Sequence, residues 1–201
     1  MKKEELVARL VHASDEVLQA EPELTEIDAK FGDADHGLTM AKIAKAIRNG
    51  AISSHGNIKG MLDDVATGVM MLNGGSAVPL WNTWLDGLQD GAPDEDTVDA
   101  NGLKAMFSTA YDAIEDISGA KIGDKTMMDA LIPATEAITK GTGDEASLLA
   151  KAAEAAEQGA EATKVFVSKY GRAKSYGEKT IGTPDAGAVS MARFFRGLAK
   201  K

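Results

Sequence analysis

Apolar residues recur along this chain at intervals of three and four, the spacing typical of helices with one buried face. One such series, through Leu6, Leu10 and Val17, marks an opening helix over 3–20. The same spacing, with turn residues between the series, predicts seven more helices. These cover 37–49, 58–72, 76–89, 98–117, 124–140, 144–169 and 185–199.

Strand-like alternation is absent from the sequence. The run Val165-Phe166-Val167 is the single β-favouring patch, and it falls at the end of the alanine-rich helix predicted over 144–169. Glycine-rich turns separate the helices, and short connections place neighbouring helices antiparallel. The sequence therefore predicts an all-α fold, an eight-helix antiparallel up-down bundle or barrel, with residues 1–201 forming a single domain.

The amino-acid composition limits the kinds of molecule that this protein is expected to bind. The 201 residues include 22 Lys and Arg against 31 Asp and Glu, a formal net charge of −9. Such a chain repels nucleic acid and anionic membranes, so we expect neither as a partner. There is no Cys, and the opening Met-Lys-Lys-Glu-Glu lacks the apolar core of a signal peptide. These features predict a cytoplasmic location.

An acidic bend, defined here as residues 28–37, concentrates the candidate chemistry. Asp28, Asp33, Asp35 and His36 lie there with two glycines. Crowded carboxylates are tolerated on a solvated loop or around a cation, and oxygen ligands suit Mg²⁺ or Ca²⁺. Residues five apart on a helix diverge by roughly 140°, so Asp28 meets Asp33 only if the chain turns. Gly32 is the residue expected to permit that turn.

The register of the bend excludes an EF-hand. A calcium loop begun at Asp33 needs Gly at its sixth position and Glu at its twelfth, where this chain has Leu38 and Ala44. Mg²⁺ remains, and Mg²⁺ usually shares its coordination with substrate phosphates. A solvated acidic loop with a helix cap at Asp35 or His36 is the alternative that the residues alone leave open.

Three further glycine-rich segments follow. Ser76 can cap a helix after Asn73-Gly74-Gly75, and Lys125 can either meet a phosphate or pair with Asp129 four residues on. The third segment, here called the basic loop, is residues 169–187. It is longer than the roughly 2–8 residues of an ordinary helix connection, and its arginine can stabilise a transferring phosphoryl group.

Four blocks occur in order: Gly-Asp33-Ala-Asp35-His36-Gly; Asn73-Gly-Gly-Ser76 with Pro79; Gly-Asp124-Lys-Thr-Met127-Met-Asp129-Ala-Leu; and Gly171-Arg172 through Pro184-Asp185-Ala-Gly187-Ala-Val. In this combination the chain resembles the nucleotide-binding L subunit of dihydroxyacetone kinase, from about residue 24 to 189. The resemblance implies an eight-helix barrel with ADP or ATP at one end.

The resemblance also implies roles for individual residues. Asp28, Asp33 and Asp35 match aspartates that hold two Mg²⁺ ions bridging the nucleotide phosphates. The positions that it places around the nucleotide are His36, Thr39, Ser76, Ala77, Gly119, Met127, Arg172 and Asp185. Gly119 and Met127 fall at the adenine, whereas Arg172 is the catalytic candidate.

The function implied is half of a two-component kinase for dihydroxyacetone or a related short ketose. A separate K-type subunit holds the ketose, and the phosphoryl donor is either free ATP or a phosphotransferase-system carrier that recharges bound ADP. A homodimer is left open. Two alternatives also stay open: an ADP-dependent regulatory module that docks on a partner without turnover, and a nucleotide-free helical scaffold.

Three departures from the family pattern bear on substrate identity. Ala34 stands where the family commonly has Gly, and the hydroxyl of Ser76 is displaced by one residue. The segment Gly171 to Lys179 also differs from the common form of the basic loop. None of the three removes an expected metal ligand.

Overall fold

The computed structural model describes residues 1–201 and contains nine α-helices. They are α1 (Lys3–Gln19), α2 (Glu21–Ala29), α3 (His36–Ser53), α4 (Ile58–Met70), α5 (Ala77–Asp90), α6 (Ala100–Ser118), α7 (Met128–Thr139), α8 (Glu145–Ala162) and α9 (Ala186–Leu198). Short 3₁₀ segments cover Thr163–Val165 and Arg172–Thr180. The β-structure amounts to one isolated bridge between Lys2 and Thr97.

Eight of these helices close into a barrel. Each of α3 to α8 packs against the next helix along the chain, and α9 packs against α1, which in turn packs against α3. Helix direction alternates around the ring, so the predicted all-α, up-down barrel is confirmed. None of the helices is long and apolar enough to cross a lipid bilayer.

Aromatic side chains fill the centre of the barrel. Trp81 and Trp84 of α5 are buried, and edge-on contacts join them to Phe194, with ring centroids 5.1 and 5.6 Å away. Phe107 and Phe195 complete the group. The two tryptophans therefore serve the packing of the core, since both side chains are buried.

Two helix predictions were wrong in part. The sequence pattern did not predict α2, a short helix with Pro22 in its first turn and Leu24 as its one buried residue. The helix predicted over 144–169 ends at Ala162. There the Thr163 hydroxyl bonds back to the Ala160 carbonyl and also accepts the backbone N–H of Asp185, contacts that turn the chain away.

The barrel has two ends. The lower end carries the beginning of α1, the 54–57, 91–99 and 140–144 connections and the C-terminal residues. The site end carries the acidic bend, the turns before α5 and α7, and the basic loop. Helix α2 lies against the beginning of α3, where a Cβ on Gly37 would stand 2.1 Å from Thr25 Oγ1. This close approach positions Asp28, in the last turn of α2, beside the bend.

Candidate functional site

The three aspartates of the acidic bend converge as predicted. One carboxylate oxygen from each of Asp28, Asp33 and Asp35 lies within 4.8 Å of the others. Asp28 belongs to α2, whereas Asp35 occupies the N-cap position of α3, so a turn between two helices brings them together. The set is all oxygen and largely open to solvent, which fits Mg²⁺ with several retained waters.

Asp28 also caps the helix that follows the bend. Its Oδ2 accepts the backbone N–H groups of Asp35 and His36, at 3.1 and 3.3 Å. Asp35 is the N-cap residue of α3, as the alternative interpretation expects, but its side chain makes no capping bond. One oxygen of Asp28 therefore satisfies the N-terminus of α3, and the other is left for a cation.

The turn itself differs from the prediction at Gly32. The residue with positive φ is Ala34, at 60°, and Gly32 is absent from the positive-φ residues. Gly32 is needed for a different reason: a Cβ there would lie 2.1 Å from Asp28 Oδ1. Ala34 holds the strained position where the resembling family commonly has Gly, so this chain bears a backbone cost at its acidic bend.

His36 and Thr39 line the inner side of the bend. His36 Nε2 lies 3.3 Å from Ser190 Oγ on α9. Burial lowers the pKa of the His36 imidazole, with Asp28 and Asp35 opposing that effect. Thr39 is buried one turn along α3, close to Gly74 before α5. Burial thus favours the uncharged form of the imidazole beside the carboxylates.

Arg172 reaches the acidic bend from the basic loop. Its Nη2 lies 2.7 Å from Asp33 Oδ2, and the arginine side chain is 70% exposed. Beside this ion pair, Tyr176 packs on Phe31 with ring centroids 5.2 Å apart. Two contacts therefore join the only strongly basic loop of the site end to the acidic bend.

Ser76 and Ala77 lie at the beginning of α5, on the same end of the barrel. Ser76 occupies the N-cap position, but its side chain makes no capping bond, so the expected cap is not formed. Its hydroxyl is exposed, as are Gly74 and Gly75. This exposed helix start lies beside Thr39, and the N-terminus of a helix is a position suited to an anion.

The remaining predicted positions form a second group. Met127 is buried at the beginning of α7 and approaches Gly187, whose Cβ would stand 3.3 Å from it. Asp185 caps α9 by accepting the Ala188 N–H at 2.8 Å. Removal from water, with repulsion from Asp129, raises the pKa of the Asp185 carboxyl to about 7. Gly119 ends α6 in the left-handed conformation, with open space around it.

Lys125 takes a position that the sequence did not predict. Neither a pair with Asp129 nor an exposed phosphate contact is formed. The ammonium is buried and donates to four backbone carbonyls, of Thr163, Phe166, Thr180 and Thr183. Asp129 instead accepts the N–H groups of Gly123 and Thr126. A lysine in a glycine turn carries no periodic signal that would reveal such a role.

Comparison with known proteins identifies the family to which this chain belongs. Residues 30–200 match the DAK2 domain. The chain belongs to the DAK2 domain family. It is 29% identical to the PEP-dependent dihydroxyacetone kinase, ADP-binding subunit DhaL, of Escherichia coli, an alignment covering 88% of this chain and 86% of that subunit. The ADP-binding subunit DhaL of the PEP-dependent dihydroxyacetone kinase 1 of Listeria innocua is 31% identical, with 87% of this chain and 84% of that subunit covered.

Longer members of the family align as well. The D-erythrulose kinase of Mycolicibacterium smegmatis is 38% identical over 96% of this chain but only 35% of its own length. The chain thus spans about a third of the first curated relatives that it matches. The dihydroxyacetone kinase of C. freundii superposes with a TM-score of 0.73 at 24% identity, over 96% of this chain and 34% of that one. That structure supports the barrel fold.

Proposed function

We propose that this chain is the nucleotide-bearing part of a kinase for a short-chain ketose, holding Mg²⁺ with ADP or ATP at the site end of the barrel. The observation that carries the proposal is the convergence of Asp28, Asp33 and Asp35 within 4.8 Å, with Arg172 in contact. Three carboxylates and one guanidinium form a site that a metal-bound polyphosphate fits from both sides.

The family relatives support the rest of the assignment. Two of them are ADP-binding subunits of PEP-dependent dihydroxyacetone kinases, and others are named erythrulose or dihydroxyacetone kinases. We infer that a K-type component presents the ketose and that a phosphoryl carrier recharges ADP bound to this chain. Two Mg²⁺ ions are proposed, as the resemblance to the family implies, and Asp28, Asp33 and Asp35 would supply their carboxylate ligands.

The chain's own residues have distinct tasks in this proposal. The bound metal supplies charge neutralisation on the phosphates. The carboxylates of Asp28, Asp33 and Asp35 would bind the metal. The N–H groups before α5 and the Thr39 hydroxyl would donate hydrogen bonds to phosphate oxygens. Arg172 leaves Asp33 for the transferring phosphoryl group, whose spread charge a planar guanidinium matches. His36 positions the bend and carries no proton in the reaction.

Titration calorimetry with Mg–ADP tests the site. The wild-type chain should bind, and Asp35→Asn should weaken binding at least about tenfold, because one oxygen ligand loses its charge. Asp112→Asn, on the exposed face of α6, is the matched control and should bind as the wild type does. Equal affinity in all three proteins, or no binding by the wild type, contradicts the proposal and leaves the helical scaffold.

Phosphoryl transfer separates the kinase from the regulatory module. With a cognate ketose-binding component and either ATP or a phosphoryl carrier, the wild type should phosphorylate a short ketose. Arg172→Met should reduce turnover about 10³-fold or more while weakening Mg–ADP binding only about tenfold. Binding of Mg–ADP without turnover, across both donors and a series of C3 and C4 ketoses, would favour the docking module.

A further inference from the structure

Lys125 stands out because its backbone and its side chain are both unusual. Its φ is 62°, a left-handed conformation that non-glycine residues rarely adopt. The side chain is 4% exposed, yet it carries an ammonium. Residues in strained conformations persist where their surroundings fix them, and they concentrate at working parts of proteins.

The surroundings that fix Lys125 are backbone carbonyls from the two ends of one segment. On the entry side, Nζ donates to Thr163 O at 2.7 Å and Phe166 O at 3.1 Å. On the exit side, it donates to Thr180 O at 2.8 Å and Thr183 O at 2.6 Å. One ammonium therefore closes the base of a loop whose two sides are about 17 residues apart in sequence.

The loop above that base has little else to hold it. Gly171, Gly177 and Gly182 all have positive φ, and Tyr170, Tyr176 and Ile181 remain 43–49% exposed. A segment that buries so little apolar surface depends on its polar bonds for order. The other external ties include two solvent-accessible ion pairs of small net stabilisation, Lys169 to Asp124 at 2.6 Å and Arg172 to Asp33 at 2.7 Å. The Lys169 N–H also bonds the Asp124 carbonyl, and Tyr176 packs on Phe31.

We propose that Lys125 is a positioning residue that clamps the base of the basic loop and thereby sets where Arg172 acts. The inference rests on the proposed function for its consequence at the nucleotide, but the clamp itself concerns the free protein. It assigns to the lysine of the Gly-Asp-Lys-Thr turn a role away from phosphate. Lys125 donates its three hydrogens to carbonyls and has none left for a ligand.

Chemical labelling of the intact wild-type protein tests the buried ammonium. With a small amine-reactive reagent, Lys125 should react at least about tenfold more slowly than Lys174 and Lys179, which are exposed on the same loop. Nucleotide is not required. Labelling of Lys125 as fast as that of Lys174 would overturn the clamp, and this measurement does not depend on the folding of any variant.

Hydrogen exchange then tests the loop. Lys125→Met keeps the length of the side chain and removes the donors, so amides in 166–183 should exchange about tenfold faster while the α3 to α6 amides change little. Lys104→Met is the matched control, because Lys104 also donates to a backbone carbonyl, Gly141 O at 2.7 Å, at the lower end. Unchanged exchange of 166–183 in Lys125→Met, or the same acceleration in Lys104→Met, contradicts the proposal.

A double-mutant cycle on Mg–ADP affinity tests the link to Arg172. Lys125→Met should weaken binding about tenfold in the wild-type background but less than about twofold when Arg172 is already Met, because its effect passes through that side chain. Equal weakening in both backgrounds would overturn the positioning role. Failure of the wild type to bind Mg–ADP would instead defeat the proposed function, with the labelling and exchange results still deciding the clamp.

Discussion

The two ends of the barrel are formed by the same helices but differ in how their charged groups and backbone are arranged. At the lower end Arg9 is fully buried and donates to the carbonyls of Leu198 and Lys200, and the N-terminal ammonium bonds the Val98 carbonyl at 2.8 Å. Both donors satisfy the ends of chain segments. At the site end three carboxylates converge in solvent, and both non-glycine residues with positive φ, Ala34 and Lys125, occur there.

This difference separates stability from function within one fold. The lower end brings unlike charges and backbone dipoles together, which favours the folded state. The site end gathers like charges and strained backbone, which oppose folding unless a ligand or a buried bond compensates. Local rules of sequence are commonly broken where a protein works. Substitutions at the two ends should therefore affect different measurements.

Arg9→Met should give the largest loss of stability. The variant leaves the Leu198 and Lys200 carbonyls without their charged donor in a buried position, at a cost of roughly 2–4 kcal/mol in the free energy of unfolding. Urea denaturation measures it. Mg–ADP affinity of the folded fraction should stay within about twofold of the wild type. A stability change below about 1 kcal/mol would break the contrast between the ends.

Asp33→Asn should do the reverse. Loss of one charged ligand is expected to weaken Mg–ADP binding by about 100-fold, or 2.7 kcal/mol. Unfolding free energy should change by less than about 0.5 kcal/mol, since the Asp33–Arg172 pair is exposed and repulsion within the bend is relieved. Calorimetry and urea denaturation on the same preparation measure both. A large stability loss with unchanged affinity would make the bend a structural element.

The contrast also explains how far the sequence could predict the molecule. The eight barrel helices follow from periodic burial, a signal that Leu6, Leu10 and Val17 carry without knowledge of the rest of the chain. Helix α2 escaped because only Leu24 is buried on it, too few positions to set a period. The position of α2 depends on its tertiary contact with α3 at Gly37.

The site divides in the same way. Convergence of the aspartates could be predicted, because these residues are close together in the sequence. Positive φ was expected at Gly32 but occurs at Ala34, since the sequence indicates that a turn occurs but not which residue adopts positive φ. The carbonyls around Lys125 come from residues 38 to 58 positions away, and no local pattern encodes such a meeting.

Asp185→Asn should change how stability depends on pH. In the folded protein the pKa of the Asp185 carboxyl is about 7, whereas in the unfolded chain it has the ordinary aspartate value of 3.8. Between those values the folded state binds more protons, so this group stabilises the fold at low pH and the contribution is lost as the pH rises. Asn keeps the cap on Ala188 and removes the titration, which should raise stability at pH 8 by on the order of 1–2 kcal/mol.

Asp144→Asn is the control at the lower end. Asp144 caps α8 through the Ser147 N–H at 2.8 Å, and that bond lowers the pKa of its carboxyl. Its contribution is lost as the pH falls below about 5, so substitution should leave the slope between about pH 5 and 7 unchanged. Thermal unfolding from pH 4 to 8 compares the three proteins. The same slope in Asp185→Asn and wild type would remove Asp185 as a source of site-end strain.

Ala34→Gly should have the smallest effect, and its sign decides the argument about strain. Relief of the left-handed alanine is worth about 1–2 kcal/mol, and the added freedom of glycine in the unfolded chain returns about 0.5–1 kcal/mol. A net gain of about 0.5–1 kcal/mol, or a melting temperature higher by roughly 2–4 °C, is expected. Ala105→Gly, on the exposed face of α6, should lose about as much. Two losses of similar size would mean that Ala34 rests without strain and that the site end obeys the same rules as the lower one.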